Sequence, residues 1–346
     1  MIMIRILVII GAILILTSCG NDAETPQKAL ETVSVSSPEE KDKVAAFNEI
    51  NTSLKAEINN AALYLKRAKL YVKYQDLISA VNDLDRAIGI DSTAPEYYLL
   101  KAELLKRQDK LKESKEVLDK IMFIDNDNIP ARLELGYLAL IARQYKQGLD
   151  YADAVLKKDV YNAEAYFLKG MIFEDKRDTA RAISSYVTAI EQENDYYEAY
   201  MQVGILTSHE DKALGKEYIK NALRVKPESL EALYALGMIC QESAEYNEAI
   251  EAYYKILSIE EFREPHFNLG FIHQEYLKVY DVAIEHYTNA IRVEPKYIDA
   301  YYNRALCYEQ LDEPQKAVAD LKTVLKLNPQ HTGGALLMGR ILKNNQ

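Results

Sequence analysis

Tryptophan is absent from the chain, and cysteine, proline and glycine are scarce, at 3, 9 and 13 among 346 residues. So few chain breakers argue against long loops and against a sheet domain, which needs frequent turns. The glycines do not build a phosphate cradle. Such a loop needs glycine amides followed by a lysine, and the nearest match, Leu214-Gly215-Lys216, lacks the leading glycine. No strand precedes a glycine cluster, so a dinucleotide site has no scaffold. There is no H-E-x-x-H stretch and no cysteine cluster to hold zinc. Positive charge is in deficit too: 42 Lys and Arg stand against 53 Asp and Glu, a net of -11, which argues against nucleic acid as the main partner.

What the chain does contain is a period. Small residues recur at Ala68, Ala102, Gly136, Gly170, Gly204, Gly237, Gly270 and Ala305, spaced 34, 34, 34, 34, 33, 33 and 35. A second small column runs through Ala80, Ser114, Gly148, Ala182, Gly215, Ala249, Ala283 and Ala317, spaced 34, 34, 34, 33, 34, 34 and 34. Two independent columns with one period exclude coincidence. Large residues alternate with them at helical spacing, as Tyr301, Tyr308, Leu321 and Leu327 do around Ala305 and Ala317. Each unit therefore reads as a pair of helices. Glycine inside a helix costs about 1 kcal/mol relative to alanine, and close approach of two helix backbones is the expected compensation. The 26 tyrosines suit columns that need a large side chain with a polar tip.

A period of about 34 with two helices per unit resembles the tetratricopeptide repeat. The resemblance is carried by Tyr166 and Gly170, by Phe173, and by Ala182, Tyr186 and Ala189 in the second helix. It covers 61–330 and implies an all-α, right-handed superhelical solenoid of about eight helix pairs, with N- and C-terminal capping helices. The family's closing proline is present only at Pro227, Pro295 and Pro329; Ser92, Asn126, Val160, Asn194 and Glu261 hold the other places, where looser turns are expected. One residue is missing between Gly204 and Gly215, and one is extra between Gly270 and Ala283. Both changes are expected in the turn between paired helices, where length varies most freely.

The chain opens on what reads as an export signal, 1–18, with Arg5, an apolar run from Ile6 to Leu16, and Thr17-Ser18-Cys19. The run is too short to span a bilayer comfortably. Leu16-Thr17-Ser18-Cys19 resembles the bacterial lipobox, which implies a diacylated Cys19 at the mature N-terminus. Gly20 after it resembles an outer-membrane sorting signal. The location implied is the cell envelope, lipid-anchored, at the outer membrane and facing the periplasm or the cell surface. Residues 19–36 are small and polar and read as a flexible linker. Ser37-Pro38-Glu39-Glu40 then opens a capping helix within 37–60, with Ala46, Ile50 and Leu54 on one side. Similar starts recur at Thr93-Ala94-Pro95-Glu96 and Asp195-Tyr196-Tyr197-Glu198. At the far end, 331–346 carries Leu337, Met338, Ile341 and Leu342 and reads as the terminal cap that solenoids require.

Candidate chemistry is sparse. His266 and His273 share a helix face and occupy the large-residue columns of Tyr301 and Tyr308, with His286 on the packed helix; they read as core, and His209 as a solvated turn. Cys240 and Cys307 lie two repeats apart, too far for a disulfide, and read as buried small hydrophobes. No Ser/His/Asp set is proposed by spacing. No cofactor, metal or small-molecule substrate is expected.

In the family that the chain resembles, first helices line a concave groove that binds peptides or proteins. Beside the small column the groove positions would be Leu133, Phe167, Met171, Met201, Ile205, Tyr234, Met238, Phe267, Phe271, Tyr302 and Leu306. Two readings stand for this apolar band: an exposed interaction surface, or side chains buried between repeats by a tight superhelix. On the same face Lys66, Lys69, Lys73, Lys106 and Arg107 collect early, while Glu174, Asp175, Glu242, Glu275 and Glu309 lie further on. They are a solvated face, or the basic group meets an acidic peptide or an anionic head group. The lysine and asparagine by which chaperone-binding members clamp a C-terminal carboxylate are not matched, since Leu65 and Lys69 stand there.

The resulting expectation is a non-enzymatic adaptor, a membrane-anchored repeat lipoprotein that binds peptides or envelope proteins in its groove to scaffold assembly or recruitment. The alternative is an accessory subunit tethering or regulating an envelope hydrolase or peptidoglycan enzyme. The first test concerns the anchor, because two acyl chains hold a protein at a membrane where one does not. Cys19→Ala is expected to release the protein from membranes or leave the precursor unprocessed. Absence of lipid on the parent protein after metabolic labelling would remove the lipoprotein reading.

Overall fold

The computed structural model describes residues 38–344. The export signal, Cys19, the linker and the proposed Ser37 cap lie outside the described residues. Among those described, 18 α-helices and one π-helical segment make up the regular structure, with no strand. The chain divides into two units, the first ending at Asn59 and the second beginning at Asn60. In the first, helix α1 (Pro38–Ala56) buries Ile50 and Leu54.

The second unit is a solenoid of helix pairs. The first four repeats are α2 (Ala61–Lys73) with α3 (Leu77–Ile90), α4 (Pro95–Arg107) with α5 (Leu111–Ile124), α6 (Ile129–Ile141) with α7 (Tyr145–Leu156), and α8 (Ala163–Asp175) with α9 (Thr179–Gln192). The next four are α10 (Tyr197–Ser208) with α11 (Lys212–Val225), α12 (Leu230–Glu242) with α13 (Tyr246–Ile259), α14 (Arg263–Phe271) with α15 (Tyr280–Val293), and α16 (Ile298–Gln310) with α17 (Pro314–Leu327). Helix α18 (Thr332–Asn344) packs on α17 and buries Leu337 and Ile341. Each helix packs on its neighbours in sequence. The first helices α6 and α8, and α10 and α12, also meet across a repeat more extensively than any pair of second helices does, which puts first helices on the inside of the curve.

The small columns have a sharper cause than backbone approach. A Cβ on Gly170 would lie 2.4 Å from Cε1 of Tyr186, one on Gly237 2.6 Å from Cε1 of Tyr253, and one on Gly270 2.7 Å from Cε1 of Tyr287. In these repeats glycine admits a tyrosine ring from the second helix. All three rings are fully buried, and each hydroxyl finds an acceptor one turn past the glycine. Tyr186 donates to Glu174 at 2.6 Å, Tyr253 to Gln241 at 3.2 Å and Tyr287 to Gln274 at 2.7 Å. Glu174 is thus a tyrosine's partner rather than a loose surface charge. Where the second helix carries Leu84, Leu118 or Leu321, the first-helix residue is Ala68, Ala102 or Ala305. The expected approach of backbones does occur at Gly215, whose Cβ would meet the Ser208 backbone at 2.7 Å. The first and last repeats add a half-buried to buried bidentate pair, Arg67 with Asp83 and Arg304 with Asp320.

The turns explain how length changes are absorbed. Between paired helices one residue adopts positive φ: Gln75, Asp109, Arg143, Arg177, Ala244, Lys278 or Asp312. It closes the first helix by a six-residue bond such as Asp178 N–H to Phe173 O, 2.9 Å. The fifth repeat lacks this residue, so its deletion falls in the turn as expected. The insertion of the seventh repeat does not. It is taken up within the first helix as a π-helical segment, Ile272–Leu277, and the turn keeps its left-handed residue Lys278. Three of the five turns without the closing proline are not loose either. Asp91, Asp125 and Asp159 accept from the backbone N–H two residues on at 2.9, 3.0 and 3.1 Å, holding the chain through Ser92, Asn126 and Val160. The proposed starts at Thr93 and Asp195 act differently: Ala94 and Tyr196 precede the helices without a side-chain cap, and Thr93 bonds back to Asp91.

The pairing of glycine with tyrosine yields a double-variant test. Gly170→Ala is expected to cost about 1–3 kcal/mol by overpacking against Tyr186. Tyr186→Leu in the same chain is expected to recover part of that loss, since Ala with Leu is what the first, second and eighth repeats use. Urea unfolding of the single and double variants measures the coupling; strictly additive losses would refute the contact.

Candidate peptide-binding groove

The inner face carries a recurring half-buried band. Phe167, Met171, Ile205, Tyr234, Met238, Phe267, Phe271, Tyr302 and Leu306 are neither core nor freely exposed. Leu133 and Met201 depart from the expectation: at 3% and 2% exposure they are core, absorbed into the packing between successive repeats. The rings of the band are braced from one side. Phe167 lies 5.2 Å from the Tyr186 ring and 5.0 Å from that of Tyr196, while Phe267 lies 5.6 Å from Tyr287 and 5.2 Å from Tyr297. Tyr302 meets His331 at 5.0 Å. The Asn268 amide donates to the Tyr234 hydroxyl at 3.4 Å and stands 3.7 Å from the Met238 sulfur.

Charge on this face is more ordered than the sequence pattern indicated. An acidic residue stands six places before the small column at Glu96, Glu164, Glu198, Glu231, Glu264 and Asp299, in the first turn of each helix. A negative charge there is favoured by the helix dipole. This column was readable by the same spacing that revealed the small residues. Glu198 pairs with Lys226 at 2.9 Å and Glu264 with Arg263 at 2.8 Å. Glu164 instead faces Glu134 and the Tyr137 hydroxyl, and burial, followed by the Glu134 charge, holds its carboxyl above the usual range. The later acids are engaged: Asp175 accepts from the Tyr145 hydroxyl at 2.7 Å, Glu242 pairs with Lys212 at 3.4 Å, Glu275 with Lys278 at 3.8 Å and Glu309 with Arg340 at 2.6 Å.

The early basic group is not one patch. Lys66, Lys69 and Lys73 are exposed on α2. Lys106 is committed to Glu134 at 2.6 Å and lies 5.9 Å from the Tyr137 ring centre, and Arg107 reaches Glu103 and Gln75.

Two clusters bring titratable groups together outside the groove. Cys240, Glu245 and Glu248 could converge on a metal by distance. Their chemistry points elsewhere: burial pushes the Cys240 thiol up to about 12, Lys216 pairs with both carboxylates, and Lys220 reaches Glu248 at 2.8 Å. Lysine-satisfied carboxylates beside a neutral thiol are a structural knot. The second cluster is histidine. His286 packs 6.0 Å from His266 and 5.4 Å from His273, and its Nε2 meets the Tyr254 hydroxyl at 3.1 Å. His266 and His286 are core, as expected, while His273 is half-buried and bonds Leu269 O at 2.8 Å. His209 is exposed in its turn.

Family models agree with this geometry. Tetratricopeptide-repeat models match residues 133–198, 230–262 and 298–331, and a TPR-repeat model matches 278–312. The chain is a tetratricopeptide repeat protein. This repeat protein is 27% identical over 222 residues to the human protein O-mannosyl-transferase TMTC3, covering 60% of the chain and 24% of that relative. It is 26% identical over 197 residues to human DnaJ homolog subfamily C member 7, covering 56% of the chain and 35% of the relative. The chain therefore spans well under half of these relatives. Among solved structures, the C-terminal part of a TPR repeat-containing protein from Cytophaga hutchinsonii superposes with a TM-score of 0.60 at 18% identity, over 69% of this chain and 99% of that one, which supports the fold.

The histidine cluster gives a pH signature. Burial, then the neighbouring His273 and His266, lowers His286 from 6.5 to about 4. A histidine depressed on folding stabilises fully above its unfolded pKa and loses that contribution as pH falls towards the folded value, here from 6.5 to about 4. The loss is expected to reach about 3 kcal/mol. His286→Gln is expected to flatten this acid limb in urea unfolding followed across that window; an unchanged slope would exclude His286 as its source.

Proposed function

We propose that this repeat protein is a non-enzymatic adaptor that holds a peptide segment of a partner protein against its inner face, tethered to the envelope membrane through acylated Cys19. The observation that carries the reading is the half-buried band, recurring beside the small column from the fourth repeat to the eighth. Residues that recur with the repeat form a continuous stripe when repeats stack. Methionines at 171 and 238 adapt to what they meet, while braced rings such as Phe167 and Phe267 offer stiff faces with little entropy to lose. The similarity to a mannosyltransferase covers 24% of that relative and lends this chain no chemistry.

Replacing Met238 and Phe271 together by serine separates binding from folding. Both side chains are only half-buried, so capture of partner proteins from detergent-solubilised membranes is expected to fall while the melting temperature drops by only a few degrees. Capture that survives intact would move the partner site off this groove. A melting loss on the scale of core truncation, about 2–5 kcal/mol each, would return the band to the core.

A further inference from the structure

The fourth and seventh repeats share a frame on the inner face. In the seventh, Phe267 stands between Tyr287 and Tyr297, with Glu264 and Glu294 beside it. In the fourth, Phe167 stands between Tyr186 and Tyr196, with Glu164 and Glu193 beside it. The two sets correspond residue for residue once the extra residue of the π-helical segment is allowed for.

Their difference is one cation. In the seventh repeat, Arg263 fills the frame: its guanidinium carbon lies 4.7 Å from the Tyr297 ring centre, its Nε donates to Glu264 at 2.8 Å, and its Nη1 pairs with Glu294. The fifth repeat solves the same problem with Lys226, 4.0 Å from the Tyr197 ring centre and 2.9 Å from Glu198. The fourth repeat has Ala163 where the seventh has Arg263. Glu134, Glu164 and Glu193 then gather around a single ammonium, Lys106, which is spent on Glu134 at 2.6 Å. No salt bridge reaches Glu164 or Glu193 among the described residues.

We propose that this frame, bounded by Tyr137, Phe167, Tyr196, Glu164 and Glu193, receives a lysine or arginine side chain from the segment held in the groove. The proposal rests on the groove reading and sharpens it, because the occupant must then be cationic as well as apolar. The half-buried ring faces attract a cation, and the exposed carboxylates of Glu164 and Glu193 beside them add charge-assisted hydrogen bonds. The chain itself displays the bound form of this arrangement around Arg263.

The probe is a labelled synthetic peptide of leucine and lysine in amphipathic order, with a glutamate-for-lysine counterpart, titrated by anisotropy against the full chain. The lysine peptide is expected to bind, and Glu164→Gln and Ala163→Arg each to weaken it about tenfold or more. Ala163→Arg does so by supplying the cation in cis. Glu116→Gln, an exposed acid on α5, is expected to leave affinity unchanged, which separates the frame from general attraction to an acidic protein. If Ala163→Arg does not fold, Glu164→Gln carries the test. Equal binding of the glutamate peptide, or an affinity untouched by Glu164→Gln, overturns the cation subsite; the groove reading stands in that case if Met238→Ser with Phe271→Ser still abolishes binding. Binding of neither peptide overturns both.

Discussion

The structure depends on a missing Cβ. A helix surface without a side chain at Gly170, Gly237 or Gly270 is the only place where the ring of Tyr186, Tyr253 or Tyr287 can lie, because any Cβ there would come within 2.4–2.7 Å of ring carbon. The ring brings a hydroxyl into the core, which must be answered, and Glu174, Gln241 and Gln274 answer it. Three columns are therefore locked together: one small, one aromatic, one acceptor. With alanine in the first column, leucine suffices in the second and no acceptor is needed, which is the plainer arrangement at both ends of the array. The fourth, sixth and seventh repeats thus trade helix propensity for a buried ring, and the core that holds the rings of Tyr186 and Tyr253 runs from Phe173 to Ile272.

That trade shapes the inner face. Tyr186 and Tyr287 reach through to the first helix and brace Phe167 and Phe267 from behind. The band is held by the same residues that hold the repeat. Its rings are consequently stiff and partly covered, suited to a segment that slots between them.

Much of this was legible in the chain. Both small columns, the pairing of helices, the deletion in the turn at Glu210 and the terminal helix follow from period and residue size alone. The tyrosine-for-glycine exchange was also legible in principle, since Gly170 with Tyr186 and Ala68 with Leu84 can be compared by eye; only the distance to Cε1 distinguishes ring contact from backbone contact. The π-helical segment was not, because an extra residue reads the same whether a turn or a helix absorbs it. Nor was the burial of Leu133 and Met201, which share a column with half-buried Phe167 and Phe267 but are covered by packing across repeats. The first-turn acids were legible by spacing. What spacing could not say is which of them already has a cation, because Lys226 and Arg263 arrive from different places in the repeat.

The π-helical segment has a consequence for how such arrays tolerate copying errors. In a stack where each unit seats on the one before, a residue too many would rotate every later helix out of phase. Ile272–Leu277 confines the error to less than two turns of one helix. Gln274 still meets Tyr287, the left-handed turn at Lys278 is kept, and Ala305 and Ala317 return to the common spacing against Leu321 and α18. The seventh repeat is therefore a shock absorber for sequence length, and the lineage of the array downstream of it remains free to vary without inheriting a misaligned stack.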